Sequence, residues 1–302
     1  MDYISYRDAM STVAPIFIDA ELQRQFDRDG YARIKILDEA QTRELREFFM
    51  ATQREHEAVN SLYQSTTHTN DPDLIRRVDD KIRSVMAPEL PRFFQNYEPM
   101  MCTYITKQPG EGSDTRIHQD PTFVDEQKYV TANIWVALHD INHDNGNMFF
   151  IPGTHRYMRS LRVTPVCPSA YDGVFDLLRE NITEVPVQAG EAIVINHAVM
   201  HGATPNLSGG PRMAAVMAIR SAGSELIFHY LEPGAPTDRI EQYSFDMDTF
   251  FHLKRDGRPD ESRFLRYISW DFPQITRDDF LAQIGKLRPK EKRKSWFEKI
   301  FS

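Results

Sequence analysis

A chain of 302 residues can bury a large core, and with 41% hydrophobic and 26% charged residues it has the composition of a globular protein. No apolar run approaches the ~18–20 residues of a membrane span, and Cys102 and Cys167 alone, far apart, exclude a disulfide framework or a thiolate zinc site. The net charge is −8. Residues 286–302 hold seven Lys/Arg against two Glu, for +5, which leaves −13 for the rest and argues against nucleic-acid binding. The opening residues carry acids and lack a basic, then apolar, leader pattern, so a cytoplasmic address is expected.

Residues 1–99 read mainly as helix, with one strand in FDRDGYARIKIL after a turn at Gly30. Asp38 stands three residues before Gln41 in the spacing of a capping box, and Leu45, Phe48, Phe49 and Thr52 then give the helix a buried face. Leu74, Val78, Ile82 and Val85 predict a second helix. From about residue 100 to 222 the period changes to alternation. Strands are expected in MCTYITKQ, YVTANIWVAL, NMFFIPG, EVPVQAG, EAIVINH and RMAAVMAI, separated by Gly and Pro, a pattern that suggests a jelly roll. Residues 223–285 read as helices and loops packed on that barrel, so the fold class is α+β. Residues 1–285 would form one domain, with 286–302 a basic amphipathic segment.

Within RIHQDPTF, His118 and Asp120 leave the same face of a strand, as does Arg116. His201 lies far downstream at the end of EAIVINH, where a jelly roll could bring it to the first two. Two histidines and a carboxylate make the facial triad of non-haem Fe(II) oxygenases, with positions left open for an oxo-acid and O2. Arg212 follows at the start of the next strand, and its planar fork suits one end of a dicarboxylate. His197 lies four residues before His201, but this β-branched segment is not helical and lacks the Glu of a His-Glu-x-x-His zinc site. His139, His143 and His155 fall in a turn-rich stretch and are read as loop or supporting residues.

Three segments, RIHQD, NIWVALHDINHDNGNMFFIPGTHR and HGATPNLSGGPRMA, together with FDRDGYARIKILDEAQTRELREFF, resemble the phytanoyl-CoA dioxygenase family of Fe(II)/2-oxoglutarate oxygenases. The resemblance implies a double-stranded β-helix, with His118, Asp120 and His201 as iron ligands and Arg212 as the clamp for 2-oxoglutarate. It also implies O2 activation with release of succinate and CO2. Trp135 resembles the family's aromatic beside the co-substrate, and Asn133 shares its strand face. Related halogenases carry Ala or Gly where this chain has Asp120, so the carboxylate points to hydroxylation of a C–H bond or another halide-free oxidation.

Arg116 and Arg220 share faces with the metal ligands and with Arg212 respectively. If both point inward, a small anionic substrate is expected, the alternative being a salt bridge to a nearby acid. A zinc hydrolase using the same ligands and a non-catalytic jelly-roll binding module remain open as other classes. The basic segment, with Trp296, Phe297, Ile300 and Phe301, has two readings: a helix drawn to an anionic membrane surface, or one docked on the acidic body. The second agrees better with a body that repels anionic lipid. The oligomeric state is not encoded in any pattern found.

Overall fold

The computed structural model describes residues 13–53, 62–69, 71–158, 160–165, 168–253 and 256–287. Helix α1 (Ala20–Asp29) starts at Asp19, whose carboxylate accepts from the N–H groups of Glu21 and Leu22, and ends at Gly30, where φ is 85°. Strand β1 (Tyr31–Lys35) follows directly. At the start of α2 (Glu39–Gln53) the capping box is formed: Gln41 N–H donates to Asp38 Oδ1 (2.8 Å), and Asp38 N–H to Gln41 Oε1 (3.0 Å). After β2 (Tyr63–Ser65) comes α3 (Pro72–Met86), capped by Asp71, with Leu74, Val78, Ile82 and Val85 buried as their spacing predicts.

The strand-rich region then runs β3 (Tyr97–Lys107), β4 (Thr115–His118), β5 (Thr131–Ala137), β6 (Met148–Phe150), α4 (Thr154–Tyr157), β7 (Thr164–Pro165), α5 (Phe175–Glu180) and β8 (Thr183–Val185). It continues through β9 (Glu191–Asn196), β10 (His201–Ala203) and β11 (Arg212–Ser221). The chain goes on with β12 (Ile227–Leu231), β13 (Ile240–Ser244), α6 (Met247–His252), β14 (Phe264–Ile268) and α7 (Arg277–Leu287). Residues 223–285 are therefore not only helices and loops. They supply three of the four strands of a separate sheet, ordered β14-β13-β12-β7. Its outer strand β14 is largely exposed, so it lacks the alternation that identifies a half-buried strand.

A six-stranded sheet, β1-β9-β5-β11-β3-β2, and a four-stranded sheet, β4-β10-β6-β8, are antiparallel throughout. Alternation sorts the side chains of the larger sheet. Ile134, Val136, Val194, Ala215 and Met217 join α2 and α3 in one core, whereas Trp135, Ala137, Ile193, Ala214 and Val216 meet Met148, Phe150 and Ala203 of the smaller sheet in another. The space between the sheets is thus walled by the second set. The third sheet is joined through Phe123, Ala218, Phe228, Tyr243 and Phe245.

No helix among the described residues is long and apolar enough to cross a membrane. Cys102 is buried, while Cys167 and the amphipathic stripe at Trp296, Phe297, Ile300 and Phe301 lie outside the described residues.

Candidate metal centre

Strands β4 and β10 are neighbours in the smaller sheet, and their register sets His201 directly opposite His118. Asp120 lies just beyond β4, its N–H bonded to the carbonyl of His197 (2.9 Å). Ligand atoms of His118, Asp120 and His201 all lie within 4.8 Å of one another. Asp120 Oδ1 is 3.8 Å from His118 Nε2 and 4.0 Å from His201 Nε2.

The surroundings fix which atoms are free. His118 Nδ1 bonds to the carbonyl of Arg116 (2.8 Å) and His201 Nδ1 to that of Val199 (3.0 Å). A carbonyl only accepts, so both Nδ1 atoms carry the proton and both Nε2 lone pairs are available to a metal. Asn133 Nδ2 donates to Asp120 Oδ2 (2.9 Å), which leaves Oδ1 as the ligand atom. Burial pulls His201 down to about 4, with His118 beside it adding to the effect, so its imidazole is neutral at neutral pH. Burial pushes the Asp120 carboxyl up, but His201, His197, His118 and Arg162 more than offset this and hold it below the usual range. Two imidazoles and one carboxylate, with Nε2, Nε2 and Oδ1 converging, fit a divalent first-row metal.

Further support comes from residues without a sequence signature. Arg162 Nε donates to the carbonyl of Asp120 (2.7 Å), while its buried guanidinium is bonded to the partly buried Glu126 at 2.6 Å. Gln119 Nε2 donates to the carbonyls of Ala198 (2.5 Å) and Met158 (3.1 Å), anchoring the turn between the two ligands. Tyr31 stacks on Phe150 at 4.3 Å and Phe150 on His201 at 6.0 Å, a column of rings behind the third ligand.

Arg212 is completely enclosed, 1% exposed, at the start of β11. Its guanidinium lies 5.1 Å above the ring of Trp135, Nη1 donates to the carbonyl of Gly146 (3.2 Å), and Nε has no partner. Trp135 and Asn133 are two residues apart on the inner face of β5, about 7 Å along the strand. Asn133, which bonds Asp120, and Trp135, which lies under the Arg212 guanidinium, are thus neighbours on one strand face. One N–H of the Asn133 amide is taken by Asp120.

The two remaining arginines behave differently from the inward pair expected. Arg220 stands opposite Glu98 in the β11–β3 register and donates to its carboxylate, and to Ser224 Oγ at 3.3 Å. It is an ion-paired residue and is not free for a substrate. Arg116 is exposed on β4. The histidines of the turn-rich stretch lie outside the cluster found among the described residues: His139 Nε2 accepts from Met213 N–H (3.0 Å), His143 pairs with Glu184 (2.9 Å), and His155 bonds to the carbonyl of Asp27 (3.1 Å). His197 is buried near Asp120, outside the triad.

Residues 17–214 match the family model described as phytanoyl-CoA dioxygenase. The chain belongs to the phytanoyl-CoA dioxygenase family. Among curated relatives, the phytanoyl-CoA dioxygenase domain-containing protein 1 of Danio rerio is 33% identical over 120 residues, 37% of this chain and 41% of that protein. The phytanoyl-CoA dioxygenase of Arabidopsis thaliana is 32% identical over 123 residues, 38% of this chain and 41% of that protein. The chain thus matches about two-fifths of the length of these relatives. Among solved structures, the epimerase SnoN in complex with Fe3+, alpha ketoglutarate and nogalamycin RO is 19% identical, with a TM-score of 0.51 over 86% of this chain and 96% of that one. At that identity the likeness is one of fold. The matched family segment contains His118, Asp120, His201 and Arg212, and stops before β12, β13 and β14 of the third sheet.

Proposed function

We propose that this phytanoyl-CoA dioxygenase family member is an Fe(II)- and 2-oxoglutarate-dependent oxygenase that hydroxylates an unactivated C–H bond of a small molecule. The observation that carries this is the pairing of the converging Nε2, Nε2 and Oδ1 atoms with a buried, partly unpartnered Arg212 on the inner face of the neighbouring sheet. A zinc hydrolase built on the same ligands needs no such cation. The two inner sheets correspond to a double-stranded β-helix, and residues 1–285, third sheet included, act as one oxygenase domain.

Iron(II) with bound 2-oxoglutarate and O2 supplies the oxidising chemistry, releasing succinate and CO2. The chain's own residues do the rest. His118, Asp120 and His201 hold the iron on one face, each with its second polar atom already bonded within the protein. Arg212 binds the distal carboxylate of 2-oxoglutarate with charge-assisted hydrogen bonds, its guanidinium held flat by Trp135. Ala214, Val216 and Ile105 wall the chamber with apolar surface that excludes water. Asp120 keeps the carboxylate position filled, which favours hydroxylation over halide transfer. Arg116, exposed on the strand that carries His118, is available to meet an acidic group on the substrate.

The test is succinate release by protein supplied with Fe(II), ascorbate and 2-oxoglutarate. A slow basal rate without substrate, abolished in His118→Ala and Asp120→Ala, is expected. Wild-type rates in those variants would overturn the assignment.

A further inference from the structure

Lys107, the last residue of β3, is as fully enclosed as Arg212, at 0% exposure. The β11–β3 register sets the two residues directly opposite each other, and strand alternation gives Lys107 the same inner face as Ile105. Both side chains converge on Gly146. Arg212 Nη1 bonds to the Gly146 carbonyl at 3.2 Å, and a Cβ at Gly146 would come within 3.0 Å of Lys107 Cδ. Lys107 Nζ donates to the carbonyl of Thr204 (2.7 Å) and, at longer range, to that of Ala203 (3.4 Å). An ammonium has three N–H groups, so one remains.

Two buried cations therefore share one end of the chamber, and neither forms an ion pair with a carboxylate among the described residues. Such an arrangement is costly unless an anion joins it, because both charges are removed from water and repel each other. A single arginine suffices for one end of a diacid. The second cation calls for its own explanation.

We infer that Lys107 is a second binding residue for the distal carboxylate of the co-substrate, and that with Arg212 it makes the site selective for a 2-oxo diacid over a 2-oxo monoacid. This rests on the oxygenase reading above. Lys107 directs its remaining N–H to one carboxylate oxygen while the free Nε and a terminal N–H of Arg212 take the other. The arrangement also has a pH signature. Burial, and secondarily the Arg212 charge, pull Lys107 down to about 7, against a weaker opposing pull from Asp114. The groups facing it are Arg212 on β11, Asp114 before β4, and Tyr63, its register partner on β2. A dianion binds the protonated lysine, so apparent affinity is full below pH 7 and falls as pH rises through that value.

The experiment uses the full chain with Fe(II) and compares 2-oxoglutarate with its uncharged distal analogue, 2-oxoglutaramate, in wild type, Lys107→Met and Lys107→Arg. Wild-type consumption of 2-oxoglutarate is the control: its absence would sink the oxygenase reading and leave Lys107 without a role. Given that activity, Lys107→Met should raise the KM for 2-oxoglutarate about tenfold or more. It should also narrow the preference over 2-oxoglutaramate, with Lys107→Arg restoring that preference and flattening the rise of KM above pH 7. If Lys107 only ties β3 to β10, Lys107→Met lowers turnover of both oxo-acids equally and leaves their ratio unchanged. An unchanged ratio, or an unchanged KM, overturns the inference.

Discussion

At the scale of single residues, the centre is arranged so that each ligand has one atom committed to the protein and one left over. The committed partners of the histidines are carbonyls two residues back in the chain, that of Arg116 on β4 and that of Val199 in the turn before β10, which is a short-range device; the shared face of His118 and Asp120 was readable as an alternation of side chains in RIHQD. His118, Asp120, His201 and Arg212 were legible for that reason: their spacing and strand context carry the chemistry. Lys107 was not singled out, because a lysine near a strand end ordinarily reads as solvated, although its parity with Ile105 was available. Arg220 follows the salt-bridge alternative. Its parity suggested an inward side chain, but its partner Glu98 lies 122 positions away and has no local signature. The two arginines of β11 should therefore separate cleanly on mutation. Arg212→Ala should weaken 2-oxoglutarate binding by about 2 kcal/mol or more, roughly thirtyfold, measured by titration under anaerobic conditions. Arg220→Gln should leave that affinity unaltered and cost at most about 1 kcal/mol of stability, since its partner is substantially exposed. Equal effects on binding from both would contradict the division of roles.

Among the elements, β10 has the tightest steric setting. Gly202 sits between the ligand His201 and Ala203, and a Cβ there would lie 2.5 Å from Phe149 Cζ and 2.6 Å from the carbonyl of Thr115. The ring of Phe149 can turn, but the Thr115 carbonyl belongs to the backbone of β4, the strand that carries His118. Gly202→Ala should push β4 from β10, separate the two histidines and reduce metal affinity at least about tenfold, as read by metal titration. Wild-type affinity would mean the smaller sheet absorbs the methyl without moving its ligands. The helices and inner strands were legible in sequence because capping and periodicity agree at Asp38–Gln41, in α3 and along β5. The third sheet was not, because its outer strand is exposed on most positions and Phe228, Tyr230 and Tyr243 are buried against partners far away in the chain.

For the molecule as a whole, the aromatic cluster of Phe123, Phe228 and Phe245 is what binds the third sheet to the segment that leaves the metal ligands. Ring centroids are 5.8 Å apart for Phe123–Phe245 and 5.5 Å for Phe228–Phe245. Phe228→Ala should destabilise by about 3–5 kcal/mol in urea unfolding, with a single transition retained if the sheet belongs to the same cooperative unit. Two separated transitions would make the sheet an independent body. The strand order of the larger sheet also has a consequence in time. β11 lies between β5 and β3, and β9 lies between β1 and β5, so strands made early are held apart by strands made late. With synthesis at roughly 5–20 residues per second, β3 and β5 wait several seconds for the strand that joins them. Until Ser221 has left the ribosome the chamber beside the candidate metal centre cannot close, and the nascent chain spends that interval with apolar strand edges that a chaperone would have reason to cover.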